Sequence, residues 1–413
     1  MSINAYQNFL ERGYVAQCTD AEALTRLFDQ ETVLGYIGFD PTATSLHVGS
    51  LVPILSLVHL QRCGHRPIPV VGGGTGMIGD PSGKTEMRQI LSLDELAANA
   101  LAIKEQLSRF LDFGPGGAIM VNNADWLAPL NYIEFLRDVG RHFSVNRMLA
   151  AESVKLRLEQ EQGLSFIEFN YALLQAYDFM HLAKHYGCRL QMGGNDQWGN
   201  IVAGVDLSRR MLGVTVYGLT FPLITTSTGQ KMGKTHAGAI WLDADRTPVY
   251  DFYQYWVNTT DEDVVRFLKL FTFLPISQID ELARLTGADI RQAKQVLAYE
   301  VTKIVHGEAE AKAAAAAAAA AFGGPGGDVD SVPTTSLPRA QLEAGIPAFT
   351  LLVQTGLCAS NSEARRLVTQ GGAYVGEERI TAFDQLLSLA QAGPDGALWL
   401  RAGKKKHHRV APE

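Results

Sequence analysis

Two short stretches place a lysine and a threonine directly behind a glycine: "GDPSGKTE" at residues 79–86 and "GQKMGKTH" at residues 229–236. A phosphate-cradling P-loop ends in the same way, but it sets four residues between its first glycine and the Gly-Lys pair, whereas each stretch here has three. Their lysines are candidate phosphate ligands without the loop length of a P-loop nucleotidase. A third stretch, "GGGTGMIGD", contains Gly74-x-Gly76-x-x-Gly79, the literal dinucleotide fingerprint. There Asp80 and Pro81 follow at once, where a helix should already be running, and no acidic strand end stands about 20 residues further on. The pattern disfavours a dehydrogenase.

"HVGS" at residues 47–50 is more informative. It falls where a strand gives way to a helix, and a helix start offers unpaired N–H groups and a positive dipole end to an anion. Gly49 lets a ligand approach the backbone closely, and His47 can donate to a phosphate oxygen. Further on, Tyr171, Gln175 and Asp178 stand at i, i+4 and i+7, a polar stripe on one face of an otherwise apolar helix. Such a stripe lines a pocket or faces solvent; periodicity alone leaves both open.

The elements that would carry these groups follow from the apolar pattern. "TVLGYIGFD" and "RPIPVVGGG" have the apolar, β-branched character of buried strands, and "SLHVGSLVPILSLVHLQRCG" between them has helical length and a glycine stop. "AIMVNN", "CRLQMGG" and "LTFPLIT" continue the strands to about residue 225, with helical stretches between them. This predicts an α/β fold with a Rossmann-like parallel sheet over residues 1–245, its ligands at the carboxyl ends of the strands. Residues 246–325 read as a helical domain, in which a run of alanines ends in "FGGPGG", a hinge to which no chemistry is assigned. Residues 335–413 read as a small α+β module with a helix over 362–370.

At 413 residues and 46% hydrophobic content, the chain is long enough for more than one core. The formal net charge is -7, yet residues 331–413 hold nine Lys and Arg against seven Asp and Glu, five of those cations in "RAGKKKHHR". A basic cluster on an acidic protein points to a polyanionic partner, or to a solvated terminus. The four cysteines stand far apart without CxxC spacing, which argues against a zinc site and a disulfide framework. A cytoplasmic setting with no membrane contact is expected, since no apolar run approaches about 18 residues and the N-terminus lacks a signal pattern.

Taken together, "HVGS" and "KMGKT" resemble the two signatures of class I aminoacyl-tRNA synthetases. With "YIGFDPTATSLHVG", "VGGGTGMIGDPSGKTEMR", "YALLQAYDF" and "LQMGGNDQWGNI", in order along nearly the whole chain, the resemblance narrows to the bacterial tyrosyl-tRNA synthetases. The tail resembles the small RNA-binding module, from about Pro347, that ends many of them. The resemblance implies a tyrosine–tRNA ligase that makes tyrosyl-AMP from L-tyrosine and ATP, with magnesium on the ATP phosphates and no tightly bound cofactor. It further implies transfer to tRNA(Tyr) and a homodimer, and no carboxylate cluster in the sequence announces a protein metal site. Tyr36 and Asp178 would hold the substrate phenol, Tyr171, Gln175 and Asp80 its ammonium, and Gln197 would stand near the carboxyl end. Thr42 and His47 would meet the ATP phosphates, and Asp196 the ribose. Lys84, Arg88, Lys231, Lys234 and Thr235 would meet the pyrophosphate, with Asp40, Gly49 and Ser50 close to the nucleotide. Phenylalanine would leave the phenol's buried partners unpaired, and tyrosyl enzymes as a family reject it about 10⁵-fold without editing. No editing domain is apparent.

Two positions depart from the family pattern. Ser50 replaces the second histidine of the first signature, and Ile37 stands where many relatives carry a small polar residue facing the ribose. Pro53 falls in the first turns of the helix, where it is tolerated. Two rival readings remain at this point: an RNA-binding protein on a synthetase scaffold that no longer activates tyrosine, and a P-loop NTPase of the helicase class.

Overall fold

The structure is a computed structural model that describes residues 3–81, 91–151, 154–155, 158–159, 164–227, 229, 232–235, 238–321, 333–376, 378–393, 395–403 and 406–413, with only the backbone at 234, 235 and 321. The chain divides into two compact units, residues 1–246 with 260–293 and residues 247–259 with 294–413.

The first unit is built on a six-stranded sheet of β1 (Gln17–Cys18), β2 (Leu34–Phe39), β3 (Arg66–Val71), β4 (Val121–Asn122), β5 (Leu190–Gly194) and β6 (Tyr217–Phe221), in the order β1-β6-β5-β2-β3-β4. Strands β2 to β6 run parallel, and β1 pairs antiparallel with β6 at the edge. Parallel strands need crossovers that cover both faces, which is why β2, β3, β5 and β6 read as apolar runs and are buried. The two-residue β1 carries no such run and was not expected; β6 stops at Phe221, short of residue 225.

The chain passes outward from β2 to β3 and β4, then returns to place β5 on the other side of β2. That reversal opens a crevice beyond the carboxyl ends of β2 and β5, where α/β sheets bind ligands. Helix α1 (Ala5–Arg12) and helix α2 (Ala21–Gln30) precede β2. Helix α3 (Leu51–Arg62), after β2, is buried on nearly every side. It starts later than the pattern implied, because Val48–Ser50 form a 3₁₀ turn. Pro53 is its third residue, where a missing N–H forfeits no helical bond.

After β3 the glycine stretch folds into a 3₁₀ turn, Thr75–Met77, instead of opening a helix. Helix α4 (Leu93–Leu107) then holds the segment after β2 from the side: Asn99 Nδ2 donates to Pro41 O at 3.0 Å, and Leu46 N donates to Gln106 Oε1 at 2.8 Å. Short helices α5 (Ala124–Leu127), α6 (Tyr132–Asp138) and α7 (Val145–Leu149) lead to the long α8 (Phe166–Tyr186). A reciprocal cap between Ser165 and Glu168 satisfies two N–H groups at its start. Helix α9 (Trp198–Leu212) packs along α8.

In the second unit, helix Val249–Val257 packs against helix Glu308–Ala321, whose Ala311, Ala314, Ala317 and Ala318 form the buried face. The expected hinge after this helix lies outside the described residues. A five-stranded sheet follows, and its strand Thr334–Leu337 pairs in parallel with the last strand, Lys406–Pro412. The module therefore starts before Pro347. Helices Ala348–Gln354 and Asn361–Thr369 contribute to its core, which gathers Leu351, Leu352, Val368, Leu398, Leu400 and Val410. Among the described residues no helix is long and apolar enough to cross a membrane.

Candidate active site

A cavity of about 240 Å³ opens in the crevice between β2 and β5. Tyr171, Gln175 and Asp178, one stripe of α8, line it together with Tyr36, Asp80, Asp196 and Gln197. The stripe therefore faces a cavity and not bulk solvent.

Asp178 lies at its buried end, 4% exposed, with both carboxylate oxygens engaged. Asn123 Nδ2 donates to Oδ2 at 2.9 Å and Trp126 Nε1 donates to Oδ1 at 2.7 Å. Burial lifts the Asp178 carboxyl to about 7, against the opposing pull of those two donors and with a further push from Asp40. Asn123 is fixed in turn: its Oδ1 accepts from Gly74 N at 2.8 Å, and its Nδ2 also donates to Thr75 Oγ1 at 2.9 Å. The glycine turn after β3 thus orients the amide that orients Asp178.

Tyr36 is 2% exposed and packs edge-on against Phe179. Burial first, then the neighbouring Asp178, pushes its phenol well above the usual tyrosine range, so the hydroxyl keeps its proton. That hydroxyl is buried without a hydrogen-bond partner, and so is Gln191 Oε1 on β5, which lines the same cavity. Buried polar atoms are nearly always paired, so two orphans on one cavity wall mark a place built for a polar guest.

The opposite end of the cavity is held by a chain of amides and a carboxylate. Gln197 Nε2 donates to Asp80 Oδ2 at 2.7 Å, while Asn200 Nδ2 donates to Gln175 Oε1 at 3.0 Å and to Gln197 Oε1 at 3.2 Å. Gln197 closes the 3₁₀ turn Asn195–Gln197 after β5, and Asn200 rises from the first turn of α9. Asp196 does not cap α9 through its side chain; it is exposed at the rim and accepts from Gln197 Nε2 at 3.3 Å.

A second cavity, of about 270 Å³, is lined by Asp40, Thr42, His47, Gly49, Ser50 and Trp241, and it shares Gly38, Phe39, Asp40 and Pro53 with the first. His47 Nδ1 accepts from Gly49 N at 2.9 Å, so the neutral ring carries its proton on Nε2. A side chain at Gly49 would start 2.6 Å from His47 Cε1 and 3.3 Å from the Met232 carbonyl, too close for any residue but glycine to fit without displacing the ring. Gly233 adopts φ +76°, favourable to glycine, and its own Cβ position would lie 3.0 Å from Gly49 N. The two signatures, 184 residues apart, thus meet backbone to backbone through glycines 49 and 233. Trp241 bridges to His47, and the Arg246 guanidinium stacks 3.4 Å over the indole.

Backbone geometry places Lys234 and Thr235 in β7 (Lys234–Thr235), which pairs with β8 (Gly238–Ala239). Lys84, Arg88 and Lys231 lie outside the described residues. Ser50 caps the start of α3 with no side-chain bond to it, and Ile37 is buried on the wall of the first cavity. Sequence reasoning missed Asn123, Trp126, Gln191, Asn200 and Trp241; each is a single residue with no periodic partner, and the doubled asparagine at the end of β4, residues 122–123, was the nearest thing to a signal.

Comparison with known proteins matches residues 29–323 to the family of class I tRNA synthetases (W and Y), and residues 328–410 to the tyrosine–tRNA ligase SYY-like C-terminal domain. The chain is 57% identical to the tyrosine–tRNA ligase of Desulfatibacillum aliphaticivorans over 99% of each chain, and 56% identical to that of Desulfosudis oleivorans over 97% of each. It resembles the crystal structure of a C-terminally truncated Aspergillus nidulans mitochondrial tyrosyl-tRNA synthetase with a TM-score of 0.68 and 33% identity, over 76% of this chain and 92% of that one.

Proposed function

Since this chain belongs to the class I tRNA synthetases of the tryptophan and tyrosine type and is a tyrosine–tRNA ligase, we propose a division of labour between the two cavities in its reaction. The enzyme joins the carboxylate of L-tyrosine to the α-phosphorus of ATP, releasing pyrophosphate, and passes the tyrosyl group to tRNA. Such a step asks for positioning and charge stabilisation more than for covalent chemistry by the protein.

The first cavity takes tyrosine. Its phenol donates to Asp178 and accepts from Tyr36, the ammonium sits among Tyr171, Gln175 and Asp80, and Gln197 stands near the carboxyl end. The observation that carries this reading is the orphaned Tyr36 hydroxyl, in the wall of the cavity that the Asp178 carboxylate also lines. A phenol satisfies both, whereas phenylalanine would leave both unpaired.

The second cavity takes the triphosphate end of ATP. His47 donates from Nε2 and Thr42 from its hydroxyl, with Asp40, Gly49 and Ser50 along the nucleotide and Asp196 at the ribose. Lys231, Lys234 and Thr235, with Lys84 and Arg88, meet the departing pyrophosphate; the packing of the Gly233 backbone on Gly49 supports this by setting the lysine signature beside the histidine one. Magnesium travels with the ATP phosphates and no cofactor is tightly held. Residues 1–245 form the catalytic domain, 246–325 the helical domain and 335–413 the module that grips tRNA(Tyr).

We further propose that the enzyme is a cytoplasmic homodimer. Ile133 on α6, Val145 and Leu149 on α7, and Phe166 and Ile167 on α8 are all exposed, an apolar set that a second copy would cover.

The test is amino-acid-dependent exchange of labelled pyrophosphate into ATP with each of the twenty amino acids, with Lys234→Ala as control. Exchange with tyrosine alone, lost in the control, is expected. Folded protein that binds RNA but supports no exchange would return the inactive-scaffold reading.

A further inference from the structure

The described residues on either side of the lysine signature, Thr225 and Ser227 before it and Ile240 and Leu242 after it, are tied to the protein in two different ways. Downstream, the ties are backbone bonds to the histidine segment: Val48 N donates to Ile240 O at 2.9 Å and Leu242 N donates to Leu46 O at 2.9 Å. Upstream, a single buried carboxylate gathers the chain. Asp263 Oδ2 accepts from Ser227 N at 2.7 Å and from Thr260 Oγ1 at 2.8 Å, and its Oδ1 accepts from Arg266 Nη2 at 2.9 Å. The same guanidinium donates to the Thr225 carbonyl, and the Thr260 and Ser227 hydroxyls meet at 2.8 Å.

Asp263 is only 3% exposed. Burial alone would raise its carboxyl, but the Ser227, Thr260 and Arg266 contacts outweigh burial and hold it below the usual range, so it stays ionised. A charge kept at that depth, and aimed at the N–H of an exposed serine two residues after Thr225, does more than fill a core. We propose that Asp263 is a positioning residue for tyrosine activation: it clamps the upstream foot of the lysine stretch, so that Lys231 and Lys234 are presented to the pyrophosphate. Asp263 touches neither cavity. The inference rests on the proposed role of those lysines.

Asp263→Asn removes the charge and one acceptor. The pyrophosphate-exchange kcat should fall about ten- to a hundredfold, the scale of one charge-assisted bond, while tyrosine affinity measured by equilibrium dialysis stays within about twofold. In a Lys234→Ala background Asp263→Asn should cost less than it does in the parent enzyme, because the two act through one element and only Lys231 then remains to be presented. Independent, multiplicative losses, or an equal loss of tyrosine affinity, would mean that Asp263 merely supports the fold and would overturn the proposal. An unaffected Asp263→Asn beside a crippled Lys234→Ala overturns the clamp alone; an unaffected Lys234→Ala overturns the lysine role and the clamp together. If Asp263→Asn does not fold, Thr260→Val, which deletes one donor to the carboxylate, is read in the same way with a smaller loss.

Discussion

Replacing Tyr36 by phenylalanine should move stability and function in opposite directions. The Tyr36 hydroxyl is buried without a hydrogen-bond partner in the protein. An unpaired buried hydroxyl costs about 1–3 kcal/mol, so deleting the oxygen should stabilise the free enzyme by about 1 kcal/mol after the small void left behind is counted. For a unit of this size that raises the melting temperature by about 2–4 °C. In the proposed tyrosine complex, the same oxygen donates to the substrate phenol. Its loss removes about 0.5–1.5 kcal/mol of binding, or about two- to thirteenfold in kcat/KM for tyrosine. Phenylalanine brings no hydroxyl and loses nothing, so discrimination between the two substrates narrows by at least the same factor. Differential scanning fluorimetry without substrate, and pyrophosphate exchange with tyrosine and with phenylalanine, read the two effects separately. A Tyr36→Phe enzyme that melts lower than the parent while keeping its kcat/KM for tyrosine would refute the reasoning, because the hydroxyl would then be a satisfied structural group.

Other perturbations probe the rest of the site. Burial lifts the Asp178 carboxyl to about 7, so between pH about 4 and 7 the folded chain holds a proton that the unfolded chain has released. This group's contribution to stability therefore falls as pH rises through that window and is constant above it. Tyrosine binding should run the other way, since in the proposed complex the phenol donates to the ionised carboxylate: KM for tyrosine should drop as pH rises through about 7, an inflection that Asp178→Asn abolishes, and a flat KM in the parent enzyme would contradict it. Gly49→Ala places a methyl 2.6 Å from His47 Cε1. It should lower the exchange rate at least about tenfold while leaving tyrosine affinity, measured by dialysis, unchanged. Ser50→His should change the KM for ATP or the activation rate in steady-state kinetics, since position 50 lines the second cavity; identical constants would show that the position does not matter.

Much of this enzyme could be read from its residues in order. Parallel strands buried on both faces must be continuously apolar, so β2, β3, β5 and β6 announced themselves, and helical periodicity alone put Tyr171, Gln175 and Asp178 on one line. The two signatures, His47 to Ser50 and Lys231 to Thr235, stood out as candidate phosphate ligands because glycine and cation stand together in them. Periodicity could not say whether the polar stripe faced water or a cavity, since an amphipathic helix looks the same in both cases. Only the folded sheet settled that, by reversing its strand order between β2 and β5 and opening a crevice under α8. Asn123 and Trp126 on Asp178, Asn200 between Gln175 and Gln197, and Asp263 on Ser227 were likewise decided by tertiary structure. A hydrogen bond between residues tens of positions apart leaves no repeat in the chain; its partners become neighbours only when the buried strands and helices bring them together, and the low dielectric there then makes each missing partner costly.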